Sequence, residues 1–380
     1  MHLCVISIKI NINKLKEVTL IKPETPAALP SLKTVSRGVQ IFVLLSLLGI
    51  LLAFWWRRPL GLGEILRQLK WSYGLLLIPL IAMEYIIGGL RFKLFFGGKY
   101  LTKVSLWNCI RSYLANLFMS AVTPMQTGGG PAQLYILWRT GAKVSEGTLV
   151  SLINFFATLV FFLIACTISL LILPSHFLGS TLVSLLKIGY VMVVVYALAV
   201  IFILFFPRTA LIITRGFFQL IPFKRKKIQK IRDRMRLTIE TGTARFKKAF
   251  KEILRYRKWA LGVVTGLTVA LYFNKFLMGY IIARILWDDV PFTTIIALQI
   301  IQIFLIYFAP TPGASGVAEL SSTWLIAYVI PSGLVLIYTV IWRFVTTVLG
   351  ATLGGIVLMS DMRHLNKEGL RKETADTLAP

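Results

Sequence analysis

The stretch Thr123-Pro124-Met125-Gln126-Thr127-Gly128-Gly129-Gly130-Pro131-Ala132-Gln133-Leu134 lies between an apolar run at 104–123 and a shorter one near 131–138. Successive glycines and two prolines cannot continue a helix, because glycine leaves the backbone unrestrained and proline removes an N–H donor. The chain turns there. A second break of the same character, Ala309-Pro310-Thr311-Pro312-Gly313-Ala314-Ser315-Gly316-Val317-Ala318-Glu319-Leu320, separates 290–309 from 317–331. Laid over one another, Gly130-Pro131-Ala132-Gln133-Leu134 and Gly316-Val317-Ala318-Glu319-Leu320 share Gly-x-Ala-Gln/Glu-Leu, each a few residues beyond a Thr-Pro.

Outward from these breaks the chain is strongly apolar. Of its 380 residues 57% are hydrophobic and 15% charged, and mean hydropathy is +0.76, a balance that a water-soluble core of this size does not tolerate. Nearly uncharged runs fall at 39–56, 74–90, 104–123, 147–173, 188–206, 259–283, 290–309 and 333–359. Several reach the roughly 20 residues that cross a hydrocarbon core of about 30 Å. A membrane β-barrel would need two-residue alternation, which these runs lack. The expected fold is an all-α polytopic membrane protein of about eight transmembrane helices, with two re-entrant or broken-helix hairpins.

Loop charge gives the expected orientation. Residues 208–258, with the Lys224-Arg225-Lys226-Lys227 cluster, are dense in cations and belong on the cytoplasmic side of a cell membrane. The connections 174–187 and 286–289 then lie outside. The C-terminal tail, 361–380, with Arg363, Lys367, Arg371 and Lys372, returns inside, and the N-terminal tail, 1–36, reads as a disordered or surface-lying cytoplasmic segment. One connection breaks the pattern: 57–73 carries Arg57, Arg58, Arg67 and Lys70, yet has to be external if Lys33 and Arg37 are internal. This orientation sends the first break in from the cytoplasm and the second in from outside. Opposed broken helices in corresponding positions point to an inverted repeat within a single membrane domain, 37–360, with a site near the midplane where half-helix N-termini face an anionic group. Ordinary Gly-Pro loops at the membrane surface are the alternative. Non-helical backbone at depth has to line a polar cavity or be buried in protein.

The net charge of +27 does not imply nucleic acid, because Lys and Arg concentrate between spans and at the ends, where they meet anionic headgroups. Within the basic segment Ile228, Ile231 and Met235, then Phe246, Phe250 and Ile253, recur at helical spacing. Helices lying at the headgroup plane and a solvated loop both fit that pattern. Cys4, Cys109 and Cys166 are scattered, and His2, His176 and His364 lie far apart. Neither a disulfide framework nor a metal site is expected, and no cofactor.

The order Arg91-Phe92 closing an early span, Asn116 before Thr123-Pro124, the GGGPAQLYILWRTG stretch and PTPGASGVAE resembles the lysylphosphatidylglycerol synthase transmembrane-region family, also called flippase-like, over about 39–360. The resemblance implies an eight-span translocating module, which relatives carry alone or joined to a cytoplasmic domain that aminoacylates phosphatidylglycerol. The sequence stops about twenty residues after its last span, so the expectation is the stand-alone translocating half. Two features depart from the family pattern. Gly313-Ala314-Ser315-Gly316 stands where many relatives have Gly-Gly-Leu-Gly, and Asn154-Phe155 where they often have an acidic-basic pair.

Glu84, Arg111, Lys275, Glu319 and Arg343 lie within apolar segments, where an unpaired charge costs about 2.5 to 3.5 kcal/mol on insertion scales. Glu319 and Arg343 are expected to pair. Arg111, two turns before the first break, is the expected phosphate contact, because a guanidinium binds phosphate bidentately and stays charged. With the hairpins these residues make the expected substrate-binding set: Arg111, Asn116, Gly128, Gly129, Gly130, Gln133, Gly313, Gly316, Glu319 and Arg343, none of them catalytic. The expected partners are membrane phospholipids or lipid-linked intermediates, with an anionic lipid surface on the cytoplasmic side. The expected function is binding and flipping of an anionic lipid. A membrane-embedded transferase on a lipid carrier, with Glu84 or Glu319 as base, and a non-transporting partner subunit are the alternatives. No phosphate-binding loop of the G-x-x-x-x-G-K-[ST] type occurs.

Overall fold

The computed structural model describes residues 70–97, 101–174, 180–207 and 244–378, together with positions 40, 44 and 209. The expected N-terminal tail, nearly all of the first span at 39–56, the Lys224–Lys227 cluster and the Ile228, Ile231 and Met235 stripe lie outside the described residues.

The described chain is helical. After a 3-10 segment, Trp71–Leu76, come α1 (Leu77–Lys93), α2 (Leu106–Val122), α3 (Gly129–Arg139), α4 (Val144–Ile172) and α5 (Ser180–Phe205). They are followed by α6 (244–256), α7 (Lys258–Leu286), α8 (Phe292–Tyr307), α9 (Val317–Leu325), α10 (Val335–Arg343) and, through a π-helical turn at Phe344–Val348, α11 (Leu349–Leu378). Among the described residues five stretches are long and apolar enough to cross a membrane: Ser72–Lys93, Val144–Ile172, Leu186–Phe205, Lys258–Leu286 and Val335–His364.

The expected breaks are both present as hairpins, α2–α3 and α8–α9. At 1.5 Å per residue, the 11 residues of α3 and 9 of α9 extend only about 16 and 14 Å, half of a hydrocarbon core. Both turns use one backbone device. Thr123 and Thr311 are extended (φ −117 and −95), as the residue before a proline prefers. The chain then reverses through two left-handed residues, Met125 (φ 50) and Gln126 (φ 57) in one, Gly313 (φ 58) and Ala314 (φ 55) in the other. In each hairpin the second helix starts five residues after the proline, at Gly129 and at Val317. This equivalence corrects the alignment drawn from sequence by two residues: Gly128 matches Gly316, both N-caps, and Gln133 matches Ser321 rather than Glu319.

The halves pack reciprocally. α2 of the first hairpin runs along α11 of the second half, α8 of the second hairpin runs along α4 of the first, α1 and α7 lie against each other, and the two hairpin turns touch. Tight helix contacts depend on small residues: a Cβ on Gly354 of α11 would sit 1.9 Å from the Leu114 carbonyl oxygen of α2, and one on Gly89 would meet Ile110 at 2.4 Å.

The described part of the basic segment is helical, as one of the two sequence-based expectations had it. Phe246, Ala249 and Ile253 of α6 are buried in a cluster with Phe92, Phe95, Leu149 and Ile153, while Lys247, Lys248 and Lys251 are exposed. The apolar stripe covers protein, not lipid. Arg257, just after it, donates to the carbonyls of Leu94 and Phe95 at 3.1 Å and of Gly97 at 2.7 Å, tying α6 to the end of α1. At the other end of α1, Lys70 pairs with Asp288 at 2.6 Å, joining the start of the 3-10 segment to the 286–289 connection. That hydrogen bond holds the Asp288 carboxyl below its ordinary pKa. Cys109 and Cys166 are buried free thiols.

Candidate functional site

Where the hairpin turns meet, a cavity of about 640 Å³ opens between them and helices α1, α4 and α7. Met125, Gln126, Gly130, Gly313 and Ala314 give it two walls of strained or glycine-rich backbone. Non-Gly residues with φ near +55° are uncommon and cost on the order of 1 kcal/mol each, a strain that clusters at functional sites.

The dominant charge on this cavity is Arg91, near the end of α1 and only 5% exposed. Its Nη2 donates to the Asn154 carbonyl at 2.9 Å and to Thr158 Oγ1 at 3.0 Å, while Asn154 Nδ2 donates back to the Arg91 carbonyl at 3.3 Å. Its Nε is buried with no partner, and among the described residues no carboxylate pairs with it. The other cation on the wall, Lys275, is joined to Glu84, which is 2% exposed. Glu84 and Arg91 are seven residues apart on α1, two turns on one face and about 10 Å along the axis.

The first hairpin contributes amide chemistry. Asn116 Nδ2 donates to Gln133 Oε1 at 3.3 Å, which leaves Gln133 Nε2 buried without an acceptor; both residues line the cavity. Gly130 and Pro131 in the first turn of α3 also line it; the Gly130 N–H is among the first of a helix, which have no intrahelical acceptor, while Pro131 carries none. Guanidinium, carboxamide and helix N-terminus are all donors, so the chemical complement of this wall is an anion.

The expected site residues thus divide in two. Asn116, Gly130, Gln133 and Gly313 line the cavity. Arg111 does not: it lies five positions before Asn116, on another face of α2, and is held by Asp361 of α11 and by Asn108. Gly128 and Gly129 are packing positions, since a Cβ there would come within 2.7 Å of Thr123 and 2.2 Å of Ser120 Oγ. Gly316, Glu319 and Arg343 brace the second hairpin behind the wall. The expected Glu319–Arg343 pair is present at 3.2 Å; Arg343 also donates to the Gly313 carbonyl at 3.0 Å, and Glu319 accepts from the Gly316 N–H at 2.6 Å. The expected binding set left out Arg91, noted only in the family resemblance, Lys275, noted only as a charge in an apolar segment, and the aromatic wall of Phe155, Tyr196, Tyr307 and Phe308. The signal for Arg91 was its heptad spacing from Glu84; a cation at the end of an apolar run otherwise reads as an interfacial charge. No group of three or more His, Cys, Asp or Glu side chains suited to a metal occurs among the described residues.

Paired short hairpins closing over a donor-lined cavity define a polytopic helical membrane protein. The family model described as "Lysylphosphatidylglycerol synthase TM region" matches residues 40–354, and the chain belongs to that family. It is also 22% identical over 284 residues, 74% of this chain and 84% of the relative, to a protein described as "UPF0104 membrane protein" from Archaeoglobus fulgidus. No solved structure matches it.

Proposed function

We propose that this protein binds an anionic phospholipid, or a lipid-linked intermediate, by its headgroup in the hairpin cavity and passes it between leaflets. The observation that carries this reading is Arg91: a buried guanidinium with a free Nε and no carboxylate partner among the described residues, on the wall of a cavity of about 640 Å³. That volume falls in the usual range of small-ligand sites. A phosphate in the cavity is held by the Arg91 charge, and a small rotation of the buried Gln133 carboxamide brings its unpaired Nε2 to the same anion. The acyl tails stay in lipid. Family membership supports a lipid-related role, and exposed Lys247, Lys248 and Lys251 on α6 suit an anionic leaflet surface.

Native mass spectrometry of the detergent-purified protein titrated with phosphatidylglycerol tests the site. Arg91→Gln is expected to weaken binding at least about tenfold, the loss of one charge-assisted contact. Arg111→Gln, outside the cavity, leaves it within about twofold. Equal binding by wild type and folded Arg91→Gln rejects this site.

A further inference from the structure

The charged side chains on the cavity wall are Arg91 and Lys275, and one of the two is already neutralised. Glu84 Oε1 accepts from the Lys275 ammonium, with Glu84 2% and Lys275 14% exposed. Glu84 sits on the same face of α1 as Arg91, and Tyr113 and Tyr272 lie within electrostatic reach of both. Among the described residues, two cations and one carboxylate give the site one uncompensated positive charge of its own, contributed by Arg91. In a low-dielectric cavity a residual charge of either sign is penalised, so occupancy is favoured when the loaded site is neutral.

We infer that the cavity selects headgroups carrying one net negative charge, and that Glu84 sets this number by holding Lys275 out of the count. This rests on the reading of the cavity as a headgroup site and adds its charge class: a phosphodiester monoanion rather than a zwitterion or a dianion. A zwitterionic headgroup returns its own positive charge to the cavity. A dianion overshoots by one. Glu84 is therefore a specificity-determining residue acting through Lys275, although it makes no contact with the lipid.

The inference is tested in proteoliposomes with tail-labelled phosphatidylglycerol, phosphatidylcholine and phosphatidic acid titrated to its dianion, following transbilayer movement of each. Wild type is expected to move phosphatidylglycerol faster than either of the others by at least about tenfold. Glu84→Gln releases Lys275 as a second cation, and its preference is expected to move to the dianion. Adding Lys275→Met to that variant returns the count to one and restores the monoanion preference, a recovery that general damage to the fold would not give. Should Glu84→Gln fail to fold, the double variant, which buries no lone charge at this pair, decides together with wild type. Equal rates for the three lipids, or an unchanged preference in folded Glu84→Gln, overturn the charge rule while headgroup transport stands. No movement of any lipid by wild type overturns the transport reading itself.

Discussion

Charges at membrane depth differ in what the sequence reveals of them. Glu319 and Arg343 could be paired from sequence because each lies in an otherwise apolar segment and needs a counter-charge. The structure adds that the pair is a brace, since Arg343 also holds the Gly313 carbonyl inside the second turn. Arg343→Ala leaves the half-buried Glu319 with the Gly316 N–H but no counter-charge and is expected to lower stability by about 3 kcal/mol, read as thermal unfolding in detergent. Glu319→Gln with Arg343→Met should recover a large part of that loss; a double variant as unstable as the sum of the singles would contradict the brace. Arg91 and Arg111 were the harder case. Both are arginines on α-helices beside the first hairpin, and only the partners separate them: Asp361, 250 residues further on, neutralises Arg111, while no described carboxylate reaches Arg91. Beyond the seven-residue spacing that puts Arg91 on the face of Glu84, nothing local in the sequence encodes that choice.

At the scale of elements, the breaks were legible because Pro and Gly act on the local backbone. Their register was not, because shared letters misled where conformation decides: Met125 and Gln126 adopt the left-handed geometry of Gly313 and Ala314 without being glycine. Gly313 at φ 58 tolerates a side chain poorly, and Gly313→Val is expected to cost about 1 to 2 kcal/mol. Gly129 is constrained differently, by its neighbours. A Cβ there meets Ser120 Oγ at 2.2 Å and Asn116 at 3.0 Å, so Gly129→Val should pry α3 from α2 and destabilise the first hairpin. Both variants are measured by thermal unfolding and by protease access to the hairpins; unchanged stability in both would show that the turns are not built as described. Helix α6 repeats the lesson. Its stripe of Phe246, Phe250 and Ile253 was correctly helical, but periodicity gives a face and not its partner.

In the whole molecule, composition was enough to place the chain in a membrane, and the Pro and Gly breaks were enough to indicate two hairpins. The reciprocal packing could not be read, because it depends on which helices touch: α2 with α11, α8 with α4, and α1 with α7 at the centre. Glu84 and Lys275 link α1 and α7 across the two halves. Reversing either charge alone should destabilise the protein, and exchanging both, Glu84→Lys with Lys275→Glu, should restore a large part of the lost thermal stability; no rescue would place these helices apart. The strained turns, the stranded donors of Arg91 and Gln133, and the packing of the two halves all converge on one cavity. On the proposed reading, lipid headgroups pass through it. Proteoliposomes of phosphatidylglycerol with a trace of its labelled form test this directly, with a membrane-impermeant quencher added outside. Wild type is expected to render the inner-leaflet label quenchable well above the rate of protein-free vesicles, and Arg91→Gln to fall near that baseline. Movement by folded Arg91→Gln at the wild-type rate would contradict it.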